Sequence, residues 1–235
     1  MLALATGCTT LPEAGTSPDS APASHTALWN APQEGRYSSY IGTATKATLV
    51  VKSTPGGDTL DELTGDTPIV VALLEPPGSA QHLKVLVPGR PNGRVGWVHR
   101  DDIAVTWTNY RIRVDLDDRT VTLYDRDEIV LQASAAIGTE QNPTPIGSTF
   151  VTATLVNPDA GGLYGPYALG LAVWSETLTE YAGGDGQVGL HGTHRPDLLG
   201  QRVSHGCVRV HNDVIREIAG RVPLGTPVDI VGEAA

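Results

Sequence analysis

The sequence predicts a mainly β protein in two folded parts, and three observations carry that reading. First, the 235 residues include 27 Gly and 17 Pro against a single Met and a single Phe, a composition that favours strands and turns over long helices. Second, short apolar runs of strand length alternate with turn residues from about residue 44 onwards. Third, only one segment, near the C-terminus, carries a convincing helical period. The length is enough for two small domains, each burying its own core.

The chain begins "MLALATGC", small and apolar up to Cys8. Residues 1–8 resemble the tail of a bacterial lipoprotein signal, in which the cysteine after a small-residue triplet is lipidated. That implies a lipid anchor at Cys8 on the outer face of the membrane. The alternative is an ordinary N-terminal cysteine. Residues 9–43 are rich in Thr, Ser, Pro and Ala without an apolar period, so they read as a flexible linker that cannot bury enough surface to offset chain entropy.

Between 44 and 106 lie four β-like runs, "ATLVVKSTPGG", "TPIVVALLEPPG", "QHLKVLVPG" and "GRVGWVHRDDIAV". Their order and the closing Gly96-Trp97-Val98 resemble the bacterial SH3-like domain, a small β-barrel. The resemblance implies either a module that binds cell-wall peptide or glycan, or a spacer packed on its neighbour.

The remaining region, 108–233, opens with alternating "RIRVDL", a turn at Asp117-Asp118 and "TVTLYD", which together read as a β-hairpin. "EIVLQASAAIG" continues the meander. In "DVIREIAG" the residues Val214, Ile215, Ile218 and Ala219 share one helical face, with Asn212 or Asp213 as N-cap and Gly220 as the stop.

Charge excludes one class of partner. With 16 Lys+Arg against 26 Asp+Glu the formal net charge is -10, which repels a phosphate backbone, so no nucleic acid is expected. No window approaches the ~20 consecutive apolar residues of a membrane-spanning helix.

The chemistry concentrates in "GLHGTHRPDLLGQRVSHGCVRVHN", where His191 precedes Cys207 by sixteen positions and His205 by two. If Cys8 is lipidated, Cys207 has no disulfide partner in the chain, which marks it as a reactive-thiol candidate. A cysteine nucleophile needs a base, donors aimed at the developing oxyanion and room for a carbonyl. His191 can be the base, the amides of Gly206 and Cys207 the oxyanion donors, and Gly192 and Gly206 admit a close backbone approach. A zinc site built from His191, His194, His205 and Cys207 is the rival, set against the lack of Cys-x-x-Cys or His-Glu-x-x-His spacing. A papain-type peptidase is disfavoured because there the cysteine precedes its histidine.

"HGT" at 191–193, "SHGCVR" at 204–209 and Asn212, with "GTEQNPTPIGSTF" and "GPYALGL" upstream, resemble the L,D-transpeptidases of the YkuD type. The implied architecture is an SH3-like β-barrel followed by a β-sandwich or barrel-like catalytic domain with a short helix after Cys207. The resemblance makes Cys207 the nucleophile and His191 the general base. His205 and Gly206 would shape the site. Ser204, Arg209, Gly192, Thr193 and Tyr167 become substrate-binding candidates, and Arg209 would meet a substrate carboxylate or brace the loop. Tyr164 and Trp174 are further groove candidates, with core packing as their alternative, and Thr144 either nears the site or closes a hairpin.

The implied reaction is acyl transfer between peptidoglycan stem peptides: a thioester forms with loss of a terminal D-alanine, and an amine then completes a 3→3 cross-link. A carboxypeptidase, with water as acceptor, and a non-catalytic wall-binding protein are the alternatives. The resemblance also implies acylation by carbapenems, no cofactor, no metal and an extracytoplasmic location. Cysteine chemistry of this kind favours a histidine pKa near ambient pH and a thiol pKa lowered by His⁺ and by the amides of the helix after Asn212.

Overall fold

The fold is taken from a computed structural model, which describes residues 39–65, 68–181 and 183–232. Cys8 and most of the linker segment lie outside the described residues. Fifteen of the described strands are accounted for by two large sheets meeting at one apolar seam, and short pairings around Cys207 complete the frame.

The first sheet holds β1 (Ser39–Ala44), β2 (Thr48–Lys52), β3 (Thr59–Thr64), β4 (Val70–Leu73), β5 (His82–Leu86), β6 (Val95–His99) and β7 (Ile103–Thr108) in the order β3-β2-β6-β5-β4-β1-β7. Alternation builds it: in β2 and β6 every second residue is buried, as expected for strands with one face on a core. Leu49, Val51, Val85 and Val98 fill that core. One boundary differs from the sequence expectation. Residues 39–43, assigned to the linker by composition, form β1, because Ile41 is buried and the strand pairs with both β4 and β7.

The second sheet holds β8 (Tyr110–Asp115), β9 (Thr120–Asp125), β10 (Glu128–Ser134), β12 (Gly147–Val156), β13 (Tyr167–Trp174), β14 (Gln187–His191), β16 (Val208–Arg209) and β17 (Pro227–Val231), in the order β10-β9-β8-β17-β12-β13-β14-β16. β11 (Ile137–Gly138) pairs in parallel with β15 (Arg202–Ser204) beside it. The β8–β9 hairpin forms as its alternation predicts. Asp115 closes its turn by accepting the Asp117 and Asp118 amides at 3.2 and 3.1 Å.

The one α-helix among the described residues, α1 (Asn212–Ala219), buries Ile215 and Ile218 against the second sheet, contributing about 1.5–3 kcal/mol per side chain. Its cap differs from the expectation. His211, not Asn212 or Asp213, occupies the N-cap, and its Nδ1 accepts the Asp213 amide at 3.3 Å, because Asn212 is committed elsewhere in the site. Gly220 ends the helix with φ -75, so its glycine serves no left-handed cap.

The two sheets share an apolar cluster of Val70, Ala72, Leu74 and Leu86 from the first with Phe150 and Ala172 from the second. Polar bonds reinforce it. Asn92 donates from Nδ2 to the Trp174 carbonyl and accepts the Trp174 amide, both at 2.8 Å.

Candidate active site

The site is assembled where β14 and β16 run side by side. Their parallel register pairs Leu190 with Val208 and His191 with Arg209, so one step back along the ladder brings Gly189 beside Cys207. The Gly189 N–H accordingly points to Cys207 Sγ at 3.4 Å. Cys207 is the one cysteine among the described residues, and its thiol is free.

The turn that carries Cys207 is braced from behind. Ser204 Oγ donates to the Cys207 carbonyl at 2.6 Å and accepts the Gly206 N–H at 3.1 Å. Thr144 Oγ1 donates to the Gly206 carbonyl at 2.8 Å and accepts the Gly138 N–H at 2.9 Å. Gly206 has φ +113, a conformation that a side chain would strain. The turn is therefore fixed at two successive carbonyls, and only glycine fits its middle.

His191 ends β14 with 3% of its surface exposed. Its Nδ1 lies 2.6 Å from the Gly192 carbonyl oxygen; a carbonyl only accepts, so Nδ1 carries the proton and Nε2 keeps its lone pair. Burial lowers the imidazole pKa to about 4, the Gly192 contact opposes this, and the Arg209 charge adds to the lowering. The imidazole is thus neutral at neutral pH. Burial also raises the Cys207 pKa, against the Gly189 N–H and the Arg209 charge, which pull it down. Both results correct the sequence expectation: the two groups rest as thiol and imidazole, with neither a depressed thiol nor a histidine near ambient pH.

Both side chains line an open cavity of about 580 Å³. Leu155, Val156, Pro158 and Tyr164 give it an apolar stretch of lining, and residues 184–189 form another part of its wall. The Tyr164 ring meets the His191 ring edge-on, with centroids 4.9 Å apart.

Several candidates take other places. The Gly206 amide is spent on Ser204, which withdraws it from the oxyanion donors. Ser204 itself is 1% exposed and Thr193 4%, so both brace and neither contacts a ligand in the cavity. The Thr193 amide donates to Asn212 Oδ1 at 2.8 Å, and Asn212 Nδ2 donates to the Ala160 carbonyl at 3.2 Å, so Asn212 clamps two loops. Gly192 is needed for its size: a Cβ there would strike Asn212 Oδ1. Tyr167 packs on the core in β13 rather than lining the cavity. His205 is exposed and stacks on Tyr181, with centroids 4.8 Å apart and its Nδ1 3.3 Å from the Tyr181 hydroxyl. Arg209 acts through its charge, and its Nε is buried without a hydrogen-bond partner.

Sequence reasoning passed over Leu155, Val156, Tyr181 and Asp185 as cavity residues. One signal was available for the first two: adjacent apolar residues ahead of "NPD", exposed by 60% and 70% at the end of β12, break the strand's alternation. Among the described residues no group of three or more His, Cys, Asp or Glu side chains is arranged to hold a metal ion.

A free thiol and a neutral imidazole in one open cavity define a cysteine-dependent acyl-transfer site. The model of the YkuD-type L,D-transpeptidase catalytic domain matches residues 109–230, and the chain belongs to that family, whose members are cysteine-nucleophile acyltransferases. It is 31% identical over 180 residues to the YkuD protein of Bacillus subtilis, covering 74% of this chain and 94% of that one. With the YkuD protein of Bacillus licheniformis it shares 38% identity over 121 residues, 52% of this chain and 65% of that one. An L,D-transpeptidase from Mycobacterium tuberculosis of known structure superposes with a TM-score of 0.46 at 15% identity, over 81% of this chain and 96% of that one.

Proposed function

We propose that the chain is a peptidoglycan L,D-transpeptidase that forms 3→3 cross-links through a Cys207 thioester. The observation that carries this reading is the pairing, in one cavity, of Cys207 with a His191 whose Nε2 is unprotonated. The thiol sulfur attacks the carbonyl between the diamino acid and the terminal D-alanine of a tetrapeptide stem as its proton passes to His191. The C–N bond breaks, the proton leaves with the D-alanine amine, and a thioester remains. The side-chain amine of a second stem attacks that thioester, His191 takes the amine's proton, and the thiol is restored. The Gly189 N–H steadies the sulfur as charge develops. A partly buried thiol with raised pKa favours transfer of its proton during attack over a standing thiolate.

The same chemistry accounts for acylation of Cys207 by a carbapenem, which would open its ring on the sulfur. The reading also extends to the parts of the chain around the site. Residues 39–106 act as an SH3-like module and 108–233 as the catalytic domain. The segment before them tethers the protein outside the cytoplasm through a lipid at Cys8, where peptidoglycan lies.

The test is incubation of the protein and its Cys207→Ala variant with a purified disaccharide-tetrapeptide, read by mass spectrometry. Dimers lighter than the free pair by one D-alanine, formed by wild type alone, are expected. Tripeptide without dimer would make the protein a carboxypeptidase on the same cysteine, and untouched tetrapeptide would overturn the substrate assignment.

A further inference from the structure

One wall of the cavity carries its only formal charge. Of the cavity-lining residues, Asp185 alone is an Asp, Glu, Lys or Arg. Its carboxylate is held in place: Trp174 Nε1–H donates to Oδ2 at 2.7 Å and the Gln187 amide to Oδ1 at 3.2 Å. No described ion pair includes it, so its charge is not cancelled by a protein cation. The segment 175–186 around it adds Glu176 and Glu180 and has no Lys or Arg.

This wall is anchored from the other sheet. Asn92 fixes the Trp174 backbone, and Arg90 Nη2 donates to the carbonyls of Ser175 and Leu178, both at 3.1 Å. Arg90 is turned to those carbonyls at the base of the loop, and the Arg209 charge bears on His191 and Cys207. Asp185 thus presents to the cavity a negative charge held in place by the Trp174 Nε1–H and the Gln187 amide, a preorganised carboxylate of the kind that recognises an ammonium group.

The reaction offers two ammonium groups, and charge state chooses between them. The acceptor amine must lose its proton and reach the thioester carbon at Cys207. Asp185 lies four residues along the chain from Gly189, whose amide touches the sulfur, and lines the same cavity as Cys207. A carboxylate there would hold the acceptor amine in its charged form, which cannot attack the thioester. The donor's own side-chain ammonium has the opposite need: it projects away from the attacked carbonyl and stays protonated throughout.

We infer that Asp185 is a specificity-determining residue that selects donor peptides carrying a free ammonium on the side chain of the residue whose carbonyl Cys207 attacks. This rests on the donor chemistry proposed above. Two tetrapeptide donors, identical except that one has its side-chain amine acetylated, are offered to the full chain and to Asp185→Asn and Asp185→Glu. Acyl-enzyme formation in a single turnover is followed by intact mass, so that the amine's role as acceptor does not enter. Wild type is expected to react about three- to fivefold faster with the free amine at low ionic strength, the preference shrinking with salt. Asp185→Glu keeps the preference, and Asp185→Asn reacts with both donors alike. A general loss of folded protein slows both donors equally and leaves the ratio unchanged. An undiminished ratio in Asp185→Asn, or a wild-type ratio of one, would overturn the inference. No adduct from either donor on wild type would bring down the donor chemistry itself, and this inference with it.

Discussion

The back of the active site and its front wall are built on opposite terms. Behind Cys207, the side chains of Ser204, Thr193 and Thr144 are each less than 5% exposed and hydrogen-bonded. In front, Leu155, Val156, Tyr164 and Tyr181 are exposed apolar side chains, and Asp185 is the lone charge. The back fixes the geometry and protonation of the reacting groups, so every substrate depends on it equally. The front makes contacts that differ from one substrate to the next, which is where selectivity arises. Substitutions at the two regions should therefore separate: losses behind Cys207 lower reactivity towards all acyl donors and lower stability, whereas losses in front change the ranking of donors.

The largest effect is expected at the base. His191→Gln should slow acylation of Cys207 by about 10²–10⁴-fold, the usual worth of a positioned general base, with peptide and carbapenem donors affected alike. Stopped-flow acylation with both donors checks this, and a loss confined to one of them would place His191 on the substrate-contacting side.

Next is the pH dependence of stability. The folded imidazole has its pKa depressed to about 4 from 6.5, so between these values the unfolded chain binds the proton that the folded chain refuses. The stabilisation is fully present above about pH 6.5 and is lost as the pH falls towards 4, by about 3 kcal/mol in all. Chemical denaturation at a series of pH values should show that decline in wild type and a shallower one in His191→Phe.

A smaller effect is expected from the bracing bonds. Ser204→Ala leaves the Gly206 N–H without its partner and the Cys207 carbonyl without its donor, a cost of about 1–3 kcal/mol. Asn212→Ala, which frees the Thr193 amide and the Ala160 carbonyl, should cost a similar amount. Thermal unfolding measures both. In contrast, Leu155→Ser on the front wall should leave stability within about 0.5 kcal/mol while weakening peptide donors more than a compact carbapenem.

The same division explains what could be read in advance. The β8–β9 hairpin and the apolar face of α1 follow from strict local periods, and "HGT" and "SHGCVR" mark the back of the site, because local backbone geometry dictates residue type there. Even so, motif membership did not reveal direction. Ser204, at the end of β15, and Thr193, just past β14, stand close to reactive residues in sequence yet turn into the protein, where their hydroxyls bond the Cys207 carbonyl and the Arg195 amide. The protonation states were also hidden, since burial of His191 depends on Tyr164 and the loops joined by Asn212, far apart in sequence. The front wall had no motif at all: Asp185 and Tyr181 sit in a Gly-rich loop whose placement is set by Arg90 and Asn92 on the other sheet.

The central claim is that the back of the site holds His191 neutral, protonated on Nδ1, beside a neutral thiol. Nitrogen-15 NMR of the His191 imidazole at pH 7 tests it most directly. The account predicts one protonated, pyrrole-like nitrogen assigned to Nδ1 and one unprotonated, pyridine-like nitrogen assigned to Nε2, unchanged down to about pH 5 given the pKa of about 4. Two protonated nitrogens at pH 7, the signature of an imidazolium paired with a thiolate, would contradict it.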